Sequence, residues 1–139
     1  MEWTAFINDT KSLARKIKED YFAPDMLIAV ARGGWIPTRL LSDYLDVKNI
    51  ASIGVKYLDD ERTKLFIYSH PTLPSITHNI LIIEDMLESG SSIKWVQAYY
   101  DEIGYTTRTA SVYITNKTSF FPDYYYKKLH INTKFPWEE

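Results

Sequence analysis

The chain contains no cysteine, which excludes a disulfide framework, a thiolate nucleophile and any zinc site built on sulfur. It has no apolar run approaching the ~20 residues that span a bilayer, and no signal peptide is visible at its start. Net charge is scarce as well: 16 Lys and Arg against 18 Asp and Glu leave −2. Without a global basic field, nonspecific nucleic-acid binding is not favoured. Glycine is limited to 5 residues, and neither G-x-G-x-x-G nor G-x-x-x-x-G-K-[ST] occurs. No internal repeat, low-complexity linker or domain boundary is visible. The expectation is one domain over residues 1–139, large enough for a real core, in a soluble cytoplasmic protein.

Aromatic residues, by contrast, are abundant. They make up 15% of the chain, with 11 Tyr and 4 Trp, much of it after residue 95. Such a surplus suits the core, an oligomer interface or a pocket for a flat ligand, and composition alone leaves these open.

Hydrophobic spacing gives a coarse map. Trp3, Phe6, Leu13, Ile17 and Tyr21 share a helical pattern that Pro24 ends, and Met26–Ala31 reads as a buried strand. That strand breaks at Arg32-Gly33-Gly34, and Pro37 then stands where a first helical turn tolerates it, followed by Leu40, Leu41, Tyr44 and Leu45. The turn has two readings. Its glycines allow backbone amides to approach an anion closely while Arg32 adds a permanent charge, or it is simply a tight connection. Ile50–Tyr57 is a second strand, and Leu58–Lys64 (L-D-D-E-R-T-K) is a charged, exposed loop leading to a strand at 65–68 that is expected to run antiparallel. Pro71 and Pro74 mark a connector, in which His70 and His78 read as surface histidines rather than a metal pair.

The richest stretch is Asn79–Ser92, N-I-L-I-I-E-D-M-L-E-S-G-S-S. Ile80–Ile83 suits a strand buried on both faces, stopping on Glu84 and Asp85. A third carboxylate, Glu88, precedes a compact S-G-S-S turn, and Ile93, Val96 and Tyr100 then open a helix. Acids at the carboxyl end of a strand suit a metal ion or sugar hydroxyls, and small residues at a helix N-terminus suit a phosphate. Gly104 is a helix C-cap, and Thr106–Thr115 reads as a further strand ending at Asn116-Lys117. Strands alternating with helices predict an α/β fold with a mainly parallel sheet flanked by helices, over one end of which the aromatic tail folds as a small hood.

Ala-Arg-Gly-Gly at 31–34, a charged loop between strands, and I-I-E-D-M-L-E-S-G-S-S at 82–92 follow one another in this order. Together they resemble the type I phosphoribosyltransferases, closest to the short microbial purine enzymes that act on xanthine, guanine or hypoxanthine. V-A-R-G-G-W-I-P-T-R-L-L at 30–41 and F-P-W-E at 135–138 extend the resemblance from about residue 26 onward. It implies transfer of the phosphoribosyl group from phosphoribosyl pyrophosphate (PRPP) to a free base in purine salvage, with Mg²⁺ as cofactor and a homodimer or homotetramer as the assembly. Glu84 and Asp85 would hold the ribose hydroxyls and the metal, and Glu88, Ser89, Gly90, Ser91 and Ser92 the 5′-phosphate. Arg32, Gly33 and Lys56 would meet the pyrophosphate, at a turn that in the family often holds a non-proline cis peptide. The loop 58–64 would close over the reacting centre, with Lys56 and Tyr57 near its hinge. Lys117 would donate to O6 of a 6-oxopurine, Trp137 would contact the base, and Asp85, Arg32 and Glu88 would carry the catalysis. Two departures from the family pattern fall on the base side. Glu88 and Ser89 stand where Asp and Thr are usual, and Asn132 stands where the short enzymes carry a stacking aromatic, a role open here to Trp137 or Tyr124–Tyr126. The alternatives are transfer to another base, such as adenine or a pyrimidine, and a non-catalytic regulator of the same fold that senses PRPP or a nucleotide.

Overall fold

The computed structural model describes residues 1–138. Its elements run α1 (Trp3–Glu19), β1 (Met26–Ala31), α2 (Trp35–Leu45), β2 (Ile50–Tyr57), β3 (Leu65–Ser69), β4 (Asn79–Leu87), α3 (Ser91–Ile103), β5 (Thr106–Ile114) and β6 (Tyr124–Lys128). The strands form one six-stranded sheet in the order β3-β2-β1-β4-β5-β6. β3 pairs antiparallel with β2 and the remaining pairs are parallel.

Alternation along β4 sends its side chains into two separate cores. Leu81 and Ile83 join Leu27, Phe6, Leu13, Ile17 and Leu41 beneath α1 and α2. Ile80 and Ile82 join Met26, Ile28, Val30, Ile53, Ile93, Val96 and Tyr100 beneath α3. This double burial explains why the strand reads as an unbroken apolar run. α1 buries Phe6, Thr10, Leu13, Ala14 and Ile17, the one-sided spacing of an amphipathic helix. Among the described residues, no helix is long and apolar enough to cross a membrane.

One expectation is corrected. β4 does not stop on the carboxylates but continues to Leu87, because β5 is equally long and carries the ladder on through Glu84↔Ser111 and Leu87↔Ile114. The end of the apolar run marks a change of surroundings rather than the end of the strand. The aromatic tail forms the expected hood and contributes an edge strand besides. Tyr124–Lys128 forms the edge strand β6, tied to α1 by Tyr124 Oη donating to Asp20 at 2.5 Å and by a Lys127–Asp9 ion pair at 3.1 Å. Residues 135–138 do fold over the sheet. There Trp137 stacks on Phe135 at 4.6 Å and meets Phe6 edge-on at 4.9 Å, while the Met1 ammonium donates to the Lys134 carbonyl at 3.0 Å.

Phe6, fully buried, thus supports both the α1 core and the C-terminal segment. Phe6→Ala is expected to cost about 3–5 kcal/mol, read from urea denaturation. It should also shift the tryptophan emission of the native state as Trp137 loses its edge contact. A cost below about 1 kcal/mol would show that α1 and the tail pack independently.

Candidate active site

The sheet order reverses between β1 and β4: β1 leads through α2 to β2 on one side, and β4 leads through α3 to β5 on the other. A crevice opens where the two crossovers part, outside the carboxyl ends of the strands, which is where open α/β sheets bind ligands. β1 and β4 are paired only as far as Ala29↔Ile83, so beyond that point β4 overhangs with one edge unpaired by strand. The Arg32-Gly33-Gly34 turn fills that gap. A side chain on Gly34 would strike the Ile83 carbonyl, and a Cβ on Gly33 would lie 2.6 Å from Asp85 Oδ1. The diglycine is therefore required by close approach, and the Ala31–Arg32 peptide within the turn is cis.

Because neighbouring strand residues face opposite ways, the two carboxylates serve different cavities. Asp85 opens into a space of about 830 Å³ lined by Arg32, Gly33, Trp35, Ile36, Arg62, Glu88, Trp137 and Glu138. Glu84 opens into a smaller one of about 180 Å³, bounded by Tyr57, Arg62, Glu88 and the turn Ser89–Ser92. Glu88 and Arg62 border both.

The smaller cavity has the form of an anion cradle. Gly90 caps the N-terminus of α3 at φ 83°, a left-handed conformation where a side chain is strained, and an added Cβ would also crowd Phe120 at 2.8 Å. Ser89 Oγ accepts from the Ser91 N–H at 3.2 Å and shares a hydrogen bond with Ser91 Oγ at 2.8 Å. Tyr57 Oη reaches over to Ser91 Oγ. The cradle is anchored to the neighbouring strand end, where Thr115 Oγ1 donates to the Leu87 carbonyl at 3.1 Å and Ser119 N–H donates to the Ser89 carbonyl at 3.2 Å.

Electrostatically the strand end disfavours two ionised carboxylates. Burial pushes the Glu84 carboxyl well above the usual carboxylate range, and the adjacent Asp85 pushes it further. Asp85 is pushed up from 3.8 to about 6, mainly by burial and in part by Glu138 and Glu88, against the 2.6 Å hydrogen bond from the Met86 N–H that favours its ionised form. Among the described residues, no group of three or more His, Asp or Glu side chains could cage a metal by itself. Two desolvated carboxylates at one strand end do fit Mg²⁺, which binds hard oxygens and takes most of its shell from substrate oxygens and water.

Of the residues expected from the sequence, Arg32, Gly33, Asp85, Glu88 and Trp137 meet at the larger cavity, and Glu84, Glu88 and Ser89–Ser92 at the smaller. Lys56 and Lys117 are exposed and border neither; Lys117 follows β5, with its backbone N–H on Thr115 Oγ1 at 3.3 Å. Tyr124–Tyr126 also border neither; Tyr124, at the start of β6, pairs with Ala110 midway along β5. Three residues were missed. Arg62 sits with its guanidinium 5.3 Å from the Tyr57 ring centroid; its only signal is a cation after three acids in a charged loop. Tyr57 itself was placed at a hinge, not against the cradle. Glu138 had no signal beyond its place after F-P-W.

With this geometry in hand, comparison with known proteins is informative. Residues 2–139 match the phosphoribosyl transferase domain family, and the chain belongs to that family. It is 31% identical to a purine phosphoribosyltransferase from Pyrococcus horikoshii, covering 100% of this chain and 92% of that one, with a TM-score of 0.84. It is 26% identical to the xanthine-guanine phosphoribosyltransferase of Cereibacter sphaeroides, covering 99% of this chain and 85% of the relative. The xanthine-guanine-hypoxanthine phosphoribosyltransferase of Helicobacter pylori shares the fold at a TM-score of 0.88 and 24% identity, covering 99% and 91% of the two chains.

A raised Asp85 value makes the fold bind a proton that the unfolded chain has released. Stability is therefore fully present below about pH 4, falls as pH rises towards 6, and is level above. Asp85→Asn is expected to make the ligand-free protein more stable at pH 7, by up to about 3 kcal/mol, with no difference near about pH 3. Urea denaturation at the two pH values checks this, and a variant less stable at pH 7 would refute it.

Proposed function

We propose that this phosphoribosyltransferase moves the 5-phosphoribosyl group from PRPP to a 6-oxopurine, namely hypoxanthine, guanine or xanthine, releasing the nucleoside monophosphate and pyrophosphate in purine salvage. The observation that carries the reading is the meeting of two anion-binding turns, Arg32-Gly33 and Glu88–Ser92, on either side of one strand end that bears Asp85. One substrate with a phosphate at one end and a pyrophosphate at the other fits that spacing. The reading has Mg²⁺ as cofactor, the cytoplasm as compartment and a homodimer or homotetramer as assembly. Self-association is supported by half-exposed Trp35, Ile50, Phe66 and Tyr68.

The reaction breaks the C1′–oxygen bond to pyrophosphate and forms a C1′–nitrogen bond to the base. Positive charge builds on the ribose and negative charge on the leaving oxygens. The backbone amides at the start of α3, with the hydroxyls of Ser89, Ser91 and Ser92, hold the 5′-phosphate where the helix dipole favours an anion. Arg32 and Gly33 receive the pyrophosphate, Arg32 as a fixed cation and Gly33 as a bare backbone. Asp85 and Glu84 would hold the ribose hydroxyls and Mg²⁺, which would supply positive charge against the leaving pyrophosphate. Both carboxylates, desolvated as they are, favour positive charge developing beside them. Glu88, at the border of the two cavities, takes up the proton that the base loses. Lys117 folds over the bound base to donate to O6, and Trp137 forms part of the base wall. The segment 58–64 closes over the centre and excludes water, and Arg62 is the side chain it brings to both cavities. Lys56 meets the pyrophosphate only as that segment closes.

The direct test follows pyrophosphate release from PRPP and Mg²⁺ with hypoxanthine, guanine, xanthine, adenine, uracil and orotate. Turnover confined to 6-oxopurines is expected, and PRPP binding without turnover of any base would overturn the enzyme reading. Asp85→Asn should lower kcat by about 10²-fold or more. Lys117→Ala should raise the KM for the base about tenfold with kcat largely kept. An unchanged base KM in Lys117→Ala would remove that residue from the base site.

A further inference from the structure

The core uses one face of α3, through Ile93, Val96 and Tyr100. A second set, Ser91, Lys94, Trp95 and Ala98, recurs at the same three- and four-residue spacing and shares another face of the helix. That face forms one wall of a groove of about 290 Å³, whose other wall is Tyr57, Arg62, Thr63 and Leu65 from the β2–β3 connection. Its apolar surface comes from Leu65, Ala98 and the Trp95 indole, which Tyr99 braces from 6.4 Å away and nearly parallel. Its charge is of one sign. Lys94 and Arg62 border it, and among the described residues no carboxylate lines it and neither cation sits in an ion pair. The nearest acid in the loop sequence, Asp59, is committed to the backbone N–H groups of Thr63 and Lys64 at 2.9 and 3.2 Å.

The groove is also joined to the anion cradle. Tyr57, Arg62 and Ser91 border both spaces. Tyr57 Oη is hydrogen-bonded to Ser91 Oγ, and the Arg62 guanidinium lies 5.3 Å from the Tyr57 ring centroid. With the larger cavity the groove shares Arg62 alone.

We propose that this groove is a regulatory site for a small planar anion, an aromatic ring bearing one anionic group, and that its occupancy weakens PRPP binding. The effect on PRPP rests on the phosphoribosyl-transfer reading above and deepens it. A concave, mainly apolar space with a few convergent polar groups is the usual form of a small-molecule site. The ring lies against Trp95 and Leu65, where an indole offers a large stacking surface. The anionic group lies between Lys94 and Arg62. Arg62 has one guanidinium, so an anion in the groove draws it away from the cradle. Each ligand therefore lowers the affinity for the other, by the same factor in both directions.

Naphthalene-2-sulfonate serves as the probe, naphthalene-2-methanol as its uncharged counterpart, and calorimetric titration of the full chain as the measurement. One sulfonate per chain is expected, with the alcohol binding more weakly. Lys94→Ala should weaken the sulfonate about two- to fivefold and leave the alcohol unchanged. Trp95→Ala should weaken both about tenfold. At saturating sulfonate, PRPP with Mg²⁺ should bind about tenfold more weakly, an effect that levels off as more sulfonate is added. Without the probe, both variants should bind PRPP as tightly as the unsubstituted protein does. Sulfonate binding that survives both substitutions unchanged would overturn the proposal by placing the probe elsewhere. A PRPP affinity that falls without limit as sulfonate rises would overturn it as well, since that is direct competition in the cradle. So would a PRPP affinity that does not respond. Failure of PRPP to bind at all would remove the transfer reading instead, while the two variants would still decide whether the groove holds the probe.

Discussion

Asp85 pressed against Gly33 is the contact on which the rest of the site depends. A carboxylate on an overhanging strand end is largely withdrawn from water, and only the backbone N–H groups of Met86 and of Asp85 itself are found to favour its charge. That arrangement is costly in the ligand-free chain, and desolvated acids are ordinarily paired. It persists because strand alternation puts the side chain against the diglycine turn, where its one open direction is the larger cavity. The same confinement fixes how the two halves of the crevice lie relative to each other. Arg32 and Gly33 stay one residue's width from β4, and Ser89–Ser92 follow from β4 through Leu87 and Glu88 with no slack. The strand end is thus both the hinge line of the fold's two crossovers and the ruler that sets the distance between the two anion sites.

Much of this was legible in the sequence, for identifiable reasons. β1, β2 and α3 could be drawn correctly because their boundaries carry local chemistry: Arg-Gly-Gly, the charged loop after Tyr57, and glycines at both ends of α3. The antiparallel β3 followed from the short loop before it. What failed was whatever depended on a partner distant in the chain. β4 runs past its acids because β5 is long enough to pair with them, and no property of Glu84 or Asp85 announces this. β6 was read as tail because its tyrosines could equally pack as a hood; what makes it a strand is the open edge of β5, with Asp9 and Asp20 on α1 holding it there.

The candidate site divides in the same way. Residues on the two turns were identifiable because each turn is a contiguous motif whose backbone geometry is encoded locally. Arg62 and Glu138 were not, since each reaches the crevice from a separate segment. The opposed roles of Glu84 and Asp85 were hidden for a different reason: they are adjacent in sequence and identical in charge, and only strand alternation separates them.

The tail explains why α1, which borders neither cavity, still bears on the chemistry. Trp137 and Glu138 are positioned by Phe135, and Phe135 by Phe6 and Tyr113, so the wall proposed for the base is an extension of the α1 core. Tyr113 reinforces this from β5, donating to Asp9 on α1 at 2.6 Å. The other side of the crevice is held differently, by backbone close to the end of the sheet. The proposed phosphate wall therefore rests on backbone that tolerates little substitution, while the proposed base wall rests on packed side chains that can be exchanged one at a time. That difference in what holds each wall is a physical reason for departures from the family pattern to gather at Glu88 and Asn132, on the side proposed for the base, while the turns proposed for the phosphates stay close to the common form.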